Sequence, residues 1–487
     1  MQKSMFETQS PSLRGRKGIL GMGLALAILF SLLGCAGKRC PHAPIARLES
    51  DGGPVIFKDV RVFTGRDTVM LEHQDVAVTG GRIEWVRPTG SALPQNAKLM
   101  DMSGQDITLM PGFVDAHVHL TASGAAPWAP VKADLRQNAA TALDAGVTTV
   151  YDLGGVSGQL EKAKKKIEAG KWNGPRILHT HSPITTPGGH PIPAIQALLP
   201  KAAAKLVTKL IPQVGDPKDA APTVEKVLKQ KVDFIKVICD SFAPGLPEMS
   251  DAVLMALVDE SHKRQQKVFV HVASTKNILS AIAAKADVFA HGPYRSRLTA
   301  EQARLIGRSG IPMIYTLAAC SGVAHMMEGD YQPDAIDKLH NGGCVLDPVT
   351  GEAGKQFAQA PVLGGFGGEV LKHAPYQQEN IRLLHANGQK FLIGTDSPIP
   401  GAYAGSGFHL EMEELHAAGV PAGEVLLAAT SRAALLLGDN PDFGFVEAGK
   451  AADLVLLRGN PLVDLKATRN LTHVIRKGRV FSLPTGN

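Results

Sequence analysis

Two histidines separated by one residue, His117 and His119, end a short apolar run that begins at Phe113. Side chains along a β-strand alternate between its two faces, so both imidazoles would point the same way from the strand end. Imidazole nitrogens are common ligands of divalent metal ions. The pair therefore indicates part of a metal site, although two histidines alone also occur as unrelated polar residues.

Four further residues with suitable chemistry occupy corresponding places in later apolar runs. Lys236 lies inside one run, His271 and His291 each end one, and Asp396 directly follows another. A lysine within an apolar strand is costly unless its charge is neutralised or used. A role in packing alone would not explain why all these residues lie in or at the ends of apolar, strand-like runs. Their placement therefore predicts one shared site.

The runs that carry these residues alternate with stretches of helical periodicity. The predicted strands are residues 112–118, 148–153, 176–181, 234–239, 268–272, 288–291, 312–317 and 391–395. Eight such repeats predict an α/β fold, a (β/α)8 TIM-type barrel whose active site lies where the strands end. Two long segments, 184–228 and 321–377, follow strands and are predicted to form lids or binding loops above that face.

Short strand-like runs separated by turns also flank the alternating region. Residues 54–110 and 447–487 both show this pattern of short strands and turns. We expect the two flanks to pair into one small, discontinuous, β-sandwich-like domain. Residues 111–446 then form the barrel.

The combination of motifs resembles the amidohydrolase superfamily, in particular its branch of imidazolonepropionase-like proteins and metal-dependent prolidases. The resemblance covers about residues 54–484 and includes the run from Pro111 to Leu120 and the tail from Gly449 to Val455. It implies a barrel with one or two divalent metal ions, usually zinc. Carried over by position, it implies a first ion on His117, His119 and Asp396, a second on His271 and His291, and a bridge by Lys236 carboxylated on its amine.

The physical chemistry of such a centre agrees with these positions. A carbamate offers two anionic oxygens that can span metal ions about 3.5–4 Å apart. Water shared between the ions would lose a proton near neutral pH, and Asp396 would take that proton and later pass it to the leaving group. The resemblance, and in particular its prolidase branch, implies hydrolysis of an amide-type C–N bond, with dipeptides or N-acyl amino acids as preferred small-molecule substrates.

Three more residues are candidates for contact with substrate. His190 follows two glycines after the third strand, where it could stabilise the transition state or simply belong to a capped turn. Tyr294 and Arg295 follow His291, and an arginine at that rim could grip a substrate carboxylate with two hydrogen bonds. The alternative for the last two is an exposed loop with a surface ion pair.

The first residues have the features of an export signal. Arg14, Arg16 and Lys17 precede a short apolar run that ends at Cys35. The segment resembles the lipobox of bacterial lipoproteins, which implies removal of residues 1–34, lipid on Cys35 and a tether over 35–53. The protein would then be exported and lipid-anchored to a bacterial membrane, facing the periplasm or cell envelope. An uncleaved anchor helix is the alternative.

In an oxidising compartment two cysteines in or beside the second long segment become relevant. Cys320 and Cys344 could form a disulfide, and free buried thiols are an equally open reading.

Composition limits the other classes of function. The chain is 44% hydrophobic and 20% charged, which suits a soluble globular protein and excludes disorder or a polytopic membrane protein. Aromatic residues at 5% and a dispersed net charge of +6 give no support for a nucleic-acid partner. The alternatives are a lactone or phosphoester hydrolase on the same site, an isomerase or decarboxylase, and a non-catalytic solute-binding lipoprotein. A homo-oligomer also remains open.

Overall fold

A computed structural model describes residues 47–48, 53–94, 96–124, 133–155, 157–198, 201–328, 359, 361–399 and 401–483. Within these residues the strands form one large mixed sheet and two parallel sheets. Helices follow most of the parallel strands. Cys35 and Cys344 lie outside the described residues, as does the apolar run before Cys35. The helices in the described part of the chain are all too short or too polar to span a membrane.

Strands are numbered in chain order. Those in the described residues are β1 (Arg47–Leu48), β2 (Val55–Phe63), β3 (Met70–Thr79), β4 (Arg82–Pro88), β5 (Lys98–Asp101), β6 (Ile107–Pro111), β7 (Phe113–Val118), β8 (Val147–Asp152), β9 (Arg176–His179), β10 (Ile235–Ile238), β11 (Val268–His271), β12 (Val288–Ala290), β13 (Met313–Ile314), β14 (Phe391–Leu392), β15 (Leu454–Arg458), β16 (Leu471–Arg476) and β17 (Arg479–Ser482).

The mixed sheet draws strands from both flanks of the chain. Its order is β1-β17-β16-β15-β6-β2-β3-β4, with β5 paired to β2. The two flanks meet where β15 pairs antiparallel with β6, with Val455 opposite Met110. Alternate residues of these strands, such as Val62, Leu109 and Leu456, form a buried apolar cluster. The predicted pairing of the flanks is therefore present, and their status as a separate domain stays a prediction.

Strands β7–β14 are the eight predicted from the apolar runs, and every pair among them is parallel. They form a three-stranded sheet, β7-β8-β9, and a five-stranded sheet, β10-β11-β12-β13-β14. Isolated parallel bridges join Thr180 to Phe234 and Val118 to Ser397, between neighbouring ends of the two sheets. The predicted α/β class with parallel sheets is confirmed, and closure into one barrel stays a prediction.

Fourteen α-helices occur in the described residues. They are α1 (Leu135–Asp144), α2 (Ser157–Glu168), α3 (Ile192–Leu198), α4 (Lys201–Thr208), α5 (Ala220–Leu228), α6 (Asp251–His262), α7 (Thr275–Ala283), α8 (Ala300–Arg308), α9 (Leu317–Glu328), α10 (Pro361–His373), α11 (Gln377–Ala386), α12 (Ser406–Ala417), α13 (Ala422–Ala428) and α14 (Ser431–Ala434). Two of them begin with capping boxes, Ser274 with Asn277 on α7 and Thr299 with Gln302 on α8.

The two long segments contain more helix than their sequence suggested. Residues 184–228 hold α3, α4 and α5, and the described part of 321–377 holds most of α9 and all of α10. Helix α9 is fixed at its start by Glu411 of α12, whose carboxylate accepts the backbone N–H of Ala318 at 2.7 Å. Both segments supply side chains to the cavity described below.

Several parallel strands end sooner than predicted, because the chain turns toward the site. The predicted strands over 312–317 and 391–395 are only two residues long, in β13 and β14. Just beyond strand ends, His291, Thr316 and Asp396 have positive φ values of 77°, 61° and 61°. Non-glycine residues rarely adopt this conformation, and where they do the strain often lies at a functional site.

Candidate active site

His117 and His119 project from the end of β7 beside the chain that follows β14. The backbone N–H groups of Thr395 and Asp396 both donate to the carbonyl of His117, at 3.1 and 2.8 Å. Gly394 makes this approach possible, because a Cβ there would lie 2.9 Å from His117 Cβ. The glycine thus allows Asp396 to reach the two histidines.

The Asp396 carboxylate lies between the two imidazoles. Its Oδ1 atom is 3.1 Å from Nε2 of His117 and 2.9 Å from Nε2 of His119. Burial works against ionisation of Asp396, but the two adjacent histidines hold its pKa well below the usual range. Asp396 is therefore an anion at neutral pH.

His271 and His291 continue the same cluster of rings. The ring of His291 lies 4.7 Å from that of His117 and 4.1 Å from that of His271, measured between centroids. Ligand atoms of His117, His291 and Asp396 all lie within 4.8 Å of one another. The resemblance assigns His117 and Asp396 to the first metal ion and His291 to the second. The two implied ligand sets therefore lie next to each other.

Lys236 enters the site from β10. It is 2% exposed, and its Nζ atom has no hydrogen-bond partner among the described residues. Burial lowers the pKa of this amine to about 7. A substantial fraction of Lys236 is therefore neutral at physiological pH, which is the form of an amine that reacts with carbon dioxide.

Sequence reasoning missed Asp240, a fully buried residue that lies behind the histidines. Its Oδ1 atom is 3.1 Å from Nε2 of His271, but the two groups are not aligned for a hydrogen bond, and both atoms lack one within the described part of the chain. Burial raises the pKa of Asp240 to about 6. Asp240 lies an even number of residues after Lys236, so strand alternation was the signal that could have found it.

His190 and Tyr294 both line the cavity, and their contact with a substrate stays a prediction. Burial lowers the pKa of His190 to about 3 and raises that of Tyr294 well above its usual value. At neutral pH the lining of the cavity therefore includes an uncharged imidazole and a protonated phenol. Both groups can donate or accept hydrogen bonds without carrying charge.

Arg295 does not line the cavity. Its Nη1 atom donates to Ser241 Oγ at 3.0 Å and lies 3.8 Å from a carboxylate oxygen of Asp240. Its Nε atom is 3.8 Å from Glu369. The guanidinium thus faces two protein carboxylates behind the site, and the structure does not bring it to where a substrate would lie.

The cavity that contains these groups has a volume of about 400 Å³. All six predicted metal-site residues line it. Cys320 lines it too; it is buried and has no disulfide partner within the described residues, and Cys344, with which it could pair, lies outside them. A space of this size is enough for a dipeptide-sized ligand.

The donor set of the cavity fits a divalent metal ion. His119 Nδ1 lies 2.9 Å from the Gly154 carbonyl and donates its proton there, so Nε2 is the nitrogen that faces Asp396. A lone pair 2.9 Å from a carboxylate oxygen requires a cation or a proton between them. Imidazole, carboxylate and amine-derived ligands are those that zinc and similar ions prefer.

A family model described as the amidohydrolase family matches residues 108–481. The chain therefore belongs to the amidohydrolase family, and the predicted enzyme class is confirmed. The match includes all the parallel strands and the late strands of the mixed sheet.

The curated proteins that are similar to this chain have names that describe different activities. An ochratoxinase from Aspergillus niger is 25% identical over 408 residues, which are 77% of this chain and 76% of that protein. An adenine deaminase from Rhizobium johnstonii is 32% identical over 130 residues, 26% of this chain. The matched part spans only 21% of the length of that deaminase.

Two solved structures show the same fold at low sequence identity. A Xaa-Pro dipeptidase with bound methionine superposes with a TM-score of 0.69 at 22% identity, covering 88% of this chain and all of the other. The ochratoxinase of A. niger gives a TM-score of 0.65 at 20% identity and covers 90% of this chain and 98% of its own.

Proposed function

We propose that the protein is a metal-dependent hydrolase that cleaves an amide-type C–N bond. The observation that carries the proposal is the placement of Asp396 Oδ1 about 3 Å from two imidazole nitrogens, in the same cavity as the Lys236 amine, which has no hydrogen-bond partner among the described residues. The names of the relatives, which include a dipeptidase and an ochratoxinase, support cleavage of an amide-type bond.

The ligands that we propose follow the positions implied by family resemblance. His117, His119 and Asp396 would hold one divalent ion, His271 and His291 a second, and Lys236 carboxylated on Nζ would bridge them. Zinc is the metal that these donors favour. When bound, such ions acidify water and polarise a carbonyl group.

The remaining chemistry falls to side chains of this chain. The Asp396 carboxylate accepts a proton from the attacking water and returns it to the leaving nitrogen. His190, held neutral by burial, donates a hydrogen bond to the oxygen that becomes negative in the transition state. Tyr294, held protonated by burial, orients the substrate. Dipeptides and N-acyl amino acids are the substrates that we propose.

We also propose that β7–β14 close into one (β/α)8 barrel. The two isolated parallel bridges between the three- and five-stranded sheets support closure. The mixed sheet would form the discontinuous β-domain beside it.

For localisation we propose a lipid anchor on Cys35. Replacing Cys35 by Ser should release the protein from the membrane fraction into the soluble fraction. Continued attachment of the variant would point instead to an uncleaved anchor helix.

The experiment that tests the function is a metal count on purified protein, prepared with added zinc and bicarbonate and followed by an amide-substrate screen. About two transition-metal ions per chain would support the bridged site. About one would remove the roles of Lys236, His271 and His291 as bridge and second-ion ligands. A folded protein that binds none would overturn the proposal and favour a solute-binding lipoprotein.

A further inference from the structure

The residues that line the cavity are of two chemical kinds, and we call the two sets its polar half and its apolar half. One half holds the predicted metal ligands. The other is lined by apolar side chains from four different parts of the chain, among them Ile238, Phe242, Ala319, Val323, Phe366 and Ile399. A substrate whose amide lies at the polar half can place one of its flanking groups against the apolar half.

Aromatic rings form the centre of the apolar half. The ring of Phe242 stacks on that of His190 at 4.2 Å and on that of Phe366 at 4.4 Å, with interplanar angles of 13° and 9°. Tyr294 meets Phe366 edge-on at 6.1 Å. We call Phe242, Tyr294 and Phe366 the aromatic wall. Its position next to His190 ties it directly to the proposed reacting centre.

The backbone of Phe242, one residue of the aromatic wall, is held next to Asp240. Phe242 has a φ of 60°, a left-handed conformation that is unusual for a bulky residue. Its N–H donates to Asp240 Oδ2 at 2.8 Å. Arg295, which lies on the far side of Asp240, completes this support. The backbone of Phe242 is therefore fixed where it enters the wall.

The described lining of the cavity offers little to a charged substrate group. Apart from histidines, its one basic residue is Lys236, which is assigned to the metal centre, and Arg295 already faces two carboxylates. A carboxylate or ammonium group placed against Phe366 would lose its water without gaining a partner. An apolar site therefore strongly disfavours such an unpaired charge.

We infer that the preferred substrate carries a large uncharged apolar group, aromatic or branched aliphatic, next to the scissile amide, and that Phe366 selects it. This inference rests on the proposed function for its catalytic part. Aromatic rings bury about 150–250 Å² each and gain further from edge or stacked contacts with other rings. Burial of such a group against the wall would be the main source of discrimination.

Two matched pairs of amides test the inference on the complete protein. In one pair, N-acetylphenylalanine and N-acetylaspartate share an acyl group; in the other, N-phenylacetylglycine and N-succinylglycine share an amine. We expect kcat/KM to favour the phenyl member of at least one pair by about tenfold or more. Phe366→Ala should reduce that preference about tenfold, and Phe366→Leu should retain part of it. Leu305→Ala, a truncation of a half-exposed side chain on α8, should leave the preference unchanged.

Binding of two ketones that cannot be hydrolysed separates this inference from the proposed function. Calorimetry should show that 4-phenylbutan-2-one binds more tightly than 4-oxopentanoate, and that Phe366→Ala removes the difference. If no amide is cleaved but this binding preference is present, the wall is supported and the proposed hydrolysis fails. Equal or better use of the charged members in both pairs, or a preference that Phe366→Ala leaves intact, would overturn the inference.

Discussion

The Nδ1 atom of His291 lies 2.8 Å from the Oγ1 atom of Thr316, and this contact determines which nitrogen of His291 faces the site. The Thr316 hydroxyl donates its own proton to the Tyr315 carbonyl at 2.6 Å, so it accepts a proton from His291. The lone pair of His291 is therefore on Nε2, where a metal ligand needs it.

Thr316→Val should weaken metal binding. The valine keeps the shape of the side chain but removes the acceptor for His291, and loss of such a supporting contact typically costs about 10–100-fold in metal affinity. Thr316→Ser, which keeps the hydroxyl, is the matched control. Competition with a chelator measures the affinity, and equal values for the valine and serine variants would contradict this account.

Lys236→Ala should reduce hydrolysis to background. The variant removes the amine that would carry the bridging carbamate, so metal content should fall toward one ion per chain. Short carboxylic acids such as propionate should restore part of the activity by supplying the missing oxygens. Full activity without added acid would exclude a bridging role for Lys236.

Asp396→Asn should lower kcat by about 10²–10⁴-fold, the usual range for loss of a general base. KM should change far less, because the substitution preserves size and leaves the apolar half of the cavity intact. Steady-state kinetics with a cleaved amide provide both values. An unchanged kcat would end the assignment of Asp396 as the base.

The buried carboxyl group of Glu411 should make the free energy of unfolding depend on pH. It is fully buried, and burial raises its pKa from 4.5 to about 8. Because the folded-state pKa is raised, the stabilisation is complete below about pH 4.5 and is lost as pH rises through about 8. The loss is of the order of a few kcal/mol.

Glu411→Gln is the corresponding variant, since it keeps an acceptor for the Ala318 N–H but cannot ionise. The wild-type protein should lose more stability than this variant between pH 5 and pH 9 in urea unfolding. Glu301→Gln on the exposed side of α8 should behave as wild type. Parallel pH curves for the wild type and Glu411→Gln would show that Glu411 does not titrate in this range.

The meeting of Lys236 and Asp396 was predictable because parallel strands end at one edge of their sheet, and both residues sit at or near strand ends. The position of Phe366 was not. It lies on α10, and only tertiary packing against Phe242, far away in the chain, brings it over the site. Arg295 illustrates the opposite error. Its type suits a substrate carboxylate, but sequence could not reveal that Asp240 and Glu369 already face it.

The pairing of β6 with β15 in the mixed sheet also constrains how the chain can fold. Thr108 Oγ1 donates to the carbonyl of Gly459, which is made 351 residues later during synthesis. Strand β6 therefore cannot pair with β15 until strands β7–β14 have all been synthesised. Closing so long a loop before the contact forms is entropically costly and favours slow assembly through intermediates. Until β15 has been made, one edge of β6 lacks the strand that pairs with it in the folded protein.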